Sequence, residues 1–415
     1  MRPLALYFQV HQPYRLGRYT CFNVGQHSSY FDDALNKDLL RRVVHKSYLP
    51  SVAMFHSLIE RYGSEFSLAL SFSGTLIEQC EEWAPEAIEA FKGLVETGSV
   101  EIFGETYHHS LASLLDEDWF KFELESHRSK IRELFGIVPS VARNTELIYS
   151  NEIGTALQQM GYRGAIIEEP PFPHRADGVF KHPGGNLALF ARDRELSDEI
   201  AFRFTVHPAG VSLSQKVDRF IALVTNRAME GDRAHPLGIF IDLETFGEHH
   251  WEDTGIFSFF DQVVTRLIQE HEVSFVTPSQ MLTKTIVAPE CSIDTPYSWA
   301  DKDKGISAWL GNTMQQSFAR QLLELSNTGN RESCCNVHSQ ALGRLSTSDH
   351  FYYMSTKEGG DGVVHSYFSP FESPYDAFAR VMNVLRDIRL YRGDTARSQR
   401  CSRSMHQATN AVHPV

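Results

Sequence analysis

Along the first two thirds of the chain, short apolar runs each end in a polar or charged cluster, and a stretch of helical periodicity follows. Residues 4–10 (LALYFQV) read as a first strand that stops at His11-Gln12-Pro13. The same β-rich character marks 66–72 (FSLALSF), 100–103, 140–143, 165–167, 187–190, 238–241 and 273–276. Between these runs, Leu49 to Arg61 places Val52, Phe55, Leu58 and Ile59 on one helical side and stops at Gly63. Helices near 84–97 and 118–135 end at Gly98 and Gly136, and Asn151 caps another that closes at Gly161. His127 falls among the apolar positions of its helix and reads as a packed core histidine. Helical patterns around Asp198 and Val217, then Ile256 to Gln269, complete this part.

Strand, polar cluster and helix in that order imply a parallel sheet with right-handed crossovers. About seven such strands predict an α/β fold, an incomplete or distorted TIM-type (β/α)7 barrel over residues 1–280. Beyond it, 309–326 and 375–391 keep apolar helical spacing with no clear strand between them. They predict a helical C-terminal region, 281–392, packed on the barrel. Residues 393–415 are polar, carry Arg397, Arg400 and Arg403, and read as a disordered tail.

Composition narrows the partners. A chain of 415 residues with 42% hydrophobic content can bury a large core. Its 39 Lys and Arg against 52 Asp and Glu give a charge of -13, which argues against nucleic acid or an anionic membrane as partner. The opening MRPLALYFQVHQPY is too short in apolar residues for a spanning helix and lacks a secretory cleavage pattern, so a cytoplasmic location is expected. Cysteines 21, 80, 291, 334, 335 and 401 form no CxxC pair, which fits a reduced protein without disulfides or cysteine-bound zinc. No cofactor is implied.

The chemistry concentrates in GIFIDLETFGEHH, from Gly238 to His250. A buried strand there gives way abruptly to Asp242, Glu244, Glu248, His249 and His250. Other strand ends offer His11, then His108 and His109, then Glu146. In a barrel all of these project into one mouth although they are far apart in sequence. Carboxylates from two separate strand ends are what glycosidic cleavage needs, one to attack or activate water and one to protonate the leaving oxygen.

At these same positions HQP (His11 to Pro13), YHHS (Tyr107 to Ser110), RNTELIY (Arg143 to Tyr149), DLETFGEH (Asp242 to His249) and SFVTPSQ (Ser274 to Gln280) resemble the five ordered motifs of glycoside hydrolase family 57. WADKDKGISAWLGN (Trp299 to Asn312) and TSDHFYYMST (Thr347 to Thr356) resemble its α-amylase-like branch. The resemblance implies an incomplete seven-stranded barrel followed by a helical region, and retaining chemistry on α-glucans. By motif, Glu146 matches the nucleophile and Asp242 the general acid/base, while His11, His108, Glu244 and Asp349 match positions that hold sugar hydroxyls. The basic end after Gly393 departs from the family pattern.

The residues add further expectations. Glu105 reads either as a substrate contact or as a partner behind the site. His249 reads either as a sugar ligand or as scaffolding. Trp251, beside the acidic loop, is the best candidate for stacking on a sugar, whereas Trp299 and Trp309 read as core or interface. Asn144 or a barrel histidine is expected to keep Glu146 ionised. The carboxyls of Glu146 and Asp242 should stand roughly 5–5.5 Å apart for retention, or about 6.5–9.5 Å for inversion. The implied activity is α-amylase-type hydrolysis of starch, glycogen or maltooligosaccharides. Three alternatives stay open. One is a 4-α-glucanotransferase. Another is a metal-dependent barrel enzyme of deacetylase or α-mannosidase type, with ligands from His11, His108, His109, Asp242 and His249. The third is a non-catalytic glucan-binding homologue.

Overall fold

The computed structural model describes the chain except residues 1, 27–28, 171–177, 207–209, 228–235, 283–287, 301, 328–336, 358–368 and 411–415, and the side chains of 2 and 393–410. Cys334 and Cys335 therefore lie outside the described residues. Among those described, the strands are β1 (Arg2–Val10), β2 (Leu68–Phe72), β3 (Val100–Ile102), β4 (Val141–Arg143), β5 (Gly164–Ile167), β6 (Val179–Lys181), β7 (Ala188–Ala191), β8 (Leu237–Asp242) and β9 (Val273–Phe275). β1 is the hub. It pairs in parallel with β2 and with β8, and its first residues also take β9.

The ring closes through two thin seams. β3 reaches β4 through one bridge, in which Gly104 N–H donates to Val141 O (2.9 Å) and Arg143 N–H to Gly104 O (2.7 Å). β7 reaches β8 where Asp193 N–H donates to Gly238 O (2.7 Å), and the Arg192 guanidinium adds a bond from Nε to Phe240 O (2.9 Å). The order β1-β2-β3-β4-β5-β7-β8 is thus a distorted (β/α)7 barrel, as the alternation of strand and helix predicted. Alternate residues of its strands fill the interior: Ala5 and Tyr7, Ala69, Val141, Ile166, Phe190 and Phe240, with Phe103 from just beyond β3, form one buried cluster. β6 is an addition that the pattern did not reveal, a short antiparallel partner of β7.

The helices Asp33–Val43 and Gly74–Trp83 were also not anticipated. The first runs through a π-helical turn, Val44–Tyr48, into Leu49–Tyr62. Among the described residues no helix is long and apolar enough to cross a membrane.

The chain divides into two compact units, one of residues 1–13 and 34–306, the other of 14–33 and 307–415. Residues 281–306, which the pattern placed with the helical region, run with the barrel. Tyr149 bridges Tyr297, and Asn151 N–H donates to Ile293 O (2.7 Å). The second unit consists of Ser307–Leu310, Thr313–Asn327, Val337–Leu345, Ser348–Tyr352 and Pro374–Asn410. Phe318, Leu322, Phe351, Val381, Leu385 and Ile388 are buried in it. Residues 14–33 are tied in by Asp387, which accepts from Tyr30 Oη (2.6 Å) and Gly25 N–H (2.5 Å). The last helix carries the backbone of 393–410, where the pattern predicted no structure. Ala, Arg, Gln and Met in that stretch are good helix formers that extend a helix already nucleated by packing.

Candidate active site

β8 delivers Asp242, half-buried and opposite Gln9 of β1 in register, and then turns through Leu243–Thr245. The π-helical turn packs against this loop. Ser47 Oγ donates to Leu243 O (3.1 Å), Tyr48 Oη donates to Glu244 Oε1 (2.5 Å), and Arg42 Nη2 donates to Glu248 Oε1 (2.6 Å). Gly247 is required here, because its φ is 96° and a Cβ would lie 1.8 Å from Lys46 O. Burial, then the charge of Asp242, pushes the Glu244 carboxyl up to about 8, against hydrogen bonds from Tyr48 and Gln12.

Glu146 follows β4 in a tight turn. Its φ is 57° and that of Leu147 is 52°, in the left-handed region that costs a non-glycine residue energy. Asn144 holds the turn by donating Nδ2–H to Ile148 O (2.8 Å) and Ser113 Oγ (2.9 Å), and Thr106 and Thr145 join their hydroxyls at 2.6 Å. The Glu146 carboxylate is nearly buried. Trp299 Nε1–H donates to its Oε2 at 2.7 Å, and His109 Nε2 lies 3.5 Å from its Oε1.

Beneath Glu146 lies a charged floor. His109, whose own φ is 52°, places Nδ1 3.2 Å from Glu105 Oε2, and His11 stacks on its ring at 4.0 Å. Glu105 has no exposed surface. It accepts from Gln9 Nε2 (3.2 and 3.4 Å) and lies 3.7 Å from Arg143 Nη1. Burial raises the Glu105 carboxyl, but the hydrogen bond and charge of His109, with Arg143, outweigh it and bring it to about 2. Burial likewise works against a charge on His109, yet Glu105 and Glu146 hold its pKa at about 9. His127, the expected core histidine, accepts the Glu105 N–H at Nδ1 (3.3 Å) and donates from Nε2 to Phe72 O (2.8 Å).

The other expected residues sit as follows. His11 Nδ1 meets Ser73 Oγ at 2.7 Å. His108 turns to the buried Glu123, which takes its Nδ1 (2.8 Å) and its backbone N–H (2.9 Å). His249 is partly exposed, and its N–H donates to Glu244 O (2.9 Å). Trp251 is 57% exposed, with the Lys46 ammonium 5.2 Å from its ring centre. Asp349 belongs to the second unit, where Thr347 Oγ1 donates to its Oδ2 (2.9 Å) at the start of Ser348–Tyr352.

His11, Glu105, His109 and Glu146 are therefore one contact network, with Asp242 beside Gln9 at its edge. Asn144, expected to serve Glu146, is spent on the turn. The donors at Glu146 include Trp299, which the sequence placed in the core or an interface. Arg143, fully buried with its guanidinium 5.3 Å from the Trp299 ring centre, was not singled out either. A charged residue ending a buried strand just before NTEL was the available signal for it. Tyr48 and Glu123 gave none. Among the described residues, no three His, Cys, Asp or Glu side chains come together to hold a metal ion.

The model of the family described as Glycosyl hydrolase family 57 matches residues 5–296. The chain belongs to that family. A relative described as "Putative alpha-amylase", from Methanocaldococcus jannaschii, is 33% identical over 401 residues, covering 92% of this chain and 83% of that protein. Crystal structures share the fold at low identity. A GH57 branching enzyme from Thermococcus kodakaraensis, in complex with glucose, has a TM-score of 0.71 at 14% identity, covering 93% of this chain and 89% of that one. An alpha-amylase from Thermotoga maritima has a TM-score of 0.64 at 13% identity, covering 94% and 93%. A 4-alpha-glucanotransferase from Thermococcus litoralis has a TM-score of 0.65 at 14% identity, covering 92% and 59%.

Proposed function

We propose that this family 57 glycoside hydrolase cleaves α-1,4-glucans by an α-amylase-type retaining reaction, with Glu146 as nucleophile and Asp242 as general acid/base. The observation that carries the reading is the Glu146 carboxylate itself. It is nearly buried on a strained turn at a strand end, with one oxygen receiving the Trp299 N–H and the other facing His109. Such a carboxylate is ionised and aimed before substrate arrives. The relative described as "Putative alpha-amylase" supports the substrate class.

In the first step a Glu146 oxygen bonds to the anomeric carbon as the glycosidic C–O bond breaks, and the Asp242 proton passes to the leaving oxygen. In the second, water attacks the same carbon, its proton goes to Asp242, and Glu146 leaves as carboxylate. The exposed Trp251 ring supplies a stacking surface for a sugar, and His11 and Glu244 line the floor and wall.

The product profile on soluble starch and maltooligosaccharides tests this reading. Shorter oligomers with retained anomeric configuration are expected. Longer oligomers from a pure short substrate would instead make it a glucanotransferase, and binding without turnover would make it a glucan-binding protein. Glu146→Gln should lower turnover by about 10³-fold or more and leave glucan binding intact. Azide should restore part of the turnover of Asp242→Ala on an activated glycoside. An unimpaired Glu146→Gln variant would refute the assignment.

A further inference from the structure

We propose that Glu105 and His109 form a positioning pair: Glu105, behind the site, keeps the His109 ring doubly protonated, and His109 turns its second N–H to Glu146. The proposal rests on the reading of Glu146 as nucleophile. Its geometric basis is that both ring nitrogens of His109 face carboxylate oxygens, Nδ1 that of Glu105 at 3.2 Å and Nε2 that of Glu146 at 3.5 Å. A neutral imidazole has one N–H and one lone pair, so one carboxylate would meet a lone pair. The imidazolium satisfies both.

The surrounding charges balance. Glu105 and Glu146 are the anions, and His109 and Arg143 the cations, in a setting where an unmatched charge is costly. Arg143 is the opposing group, since its Nη1 lies 3.3 Å from His109 Nδ1 and would suit a neutral ring protonated at Nε2. From just beyond β1, His11 stacks on the ring while its Nδ1 is engaged by Ser73. From the helix Glu117–Phe135, His127 accepts at one nitrogen and donates at the other, so it adds no charge. Trp299 occupies the other oxygen of Glu146. Gln9 fixes Glu105 from the far side, and Glu105 has no surface through which solvent could replace His109. The downward shift of Glu105 and the upward shift of His109 agree with this arrangement.

The test is a pair of measurements on the intact protein. In the ¹⁵N histidine spectrum, with His109 assigned through His109→Asn, both ring nitrogens should keep imidazolium shifts across neutral pH. A lone-pair shift at Nδ1, the neutral ring served by Arg143, would overturn the proposal without any further variant. In Glu105→Gln the His109 proton should leave at lower pH, the alkaline limb of kcat/KM should move down, and kcat should fall about 10- to 100-fold with little change in KM. Glu105→Asp should recover part of the loss. A merely structural Glu105 would lower activity equally at every pH, and unmoved limbs would refute the pair. A wild-type protein without turnover on any α-glucan would instead refute the nucleophile reading, while the spectrum still decides the protonation of His109.

Discussion

At Glu146 a single side chain carries strain, burial and charge together, and the groups that stabilise it are individually testable. Trp299 gives it a charge-assisted hydrogen bond, a contact class worth about 1.5–3 kcal/mol. Trp299→Phe keeps an aromatic ring beside Arg143 and Arg192 but removes the N–H, so kcat/KM should fall about 10- to 100-fold with the melting temperature nearly unchanged. A variant with wild-type kinetics would show that the bond does not orient Glu146 for the proposed attack. Glu244 makes the opposite kind of prediction. Folded, it keeps its proton up to about 8, whereas unfolded it releases it near the ordinary 4.5. Between those values unfolding releases a proton, so stability falls as pH rises through this window. Glu244→Gln removes that slope. Urea unfolding at about pH 5 and about pH 9 should show the variant gaining on the wild type at the higher pH. Parallel curves would contradict the raised value.

Between elements, the site loop is shaped by pieces that neither neighbour nor resemble it in sequence. The π-helical turn Val44–Tyr48 inserts its extra residue where Lys46, Ser47 and Tyr48 meet Gly247, Leu243 and Glu244. Such turns break helical periodicity, so no apolar spacing announces them. The seams are the weak joints of the barrel. Gly238 sits at one of them, where a Cβ would lie 2.7 Å from Ala191 O and 2.6 Å from the Phe240 ring. Gly238→Ala should therefore cost about 1–3 kcal/mol by forcing β7 and β8 apart. Thermal or denaturant unfolding would show it, and an unchanged midpoint would mean the seam yields without loss.

For the whole molecule, chain order and spatial grouping part company. Residues 14–33 leave the barrel immediately after β1 and pack with the last helix through Asp387 before the chain returns. Cutting the chain after Gly393 keeps Asp387, Tyr30 and the buried face of that helix. Activity and melting temperature should then change little, and a large loss of either would assign 394–415 a structural or catalytic part. The sequence by itself determined the barrel, because strand and helix are written as local periods of two and 3.6 residues and each polar cluster falls at a strand's carboxyl end. It also named the loops that carry the candidate groups, since HQP, YHHS, NTEL and DLETFGEH are contiguous. Tertiary structure alone decided which groups touch. Trp299 meets Glu146 across 153 positions and Tyr48 meets Glu244 across 196, separations at which no local pattern operates. Contact decided the rest. Glu105 and His109 carry the same formal chemistry in any peptide, and their pairing with each other, with Glu146 beside His109 and Arg143 beside Glu105, moves their protons against the pull of burial.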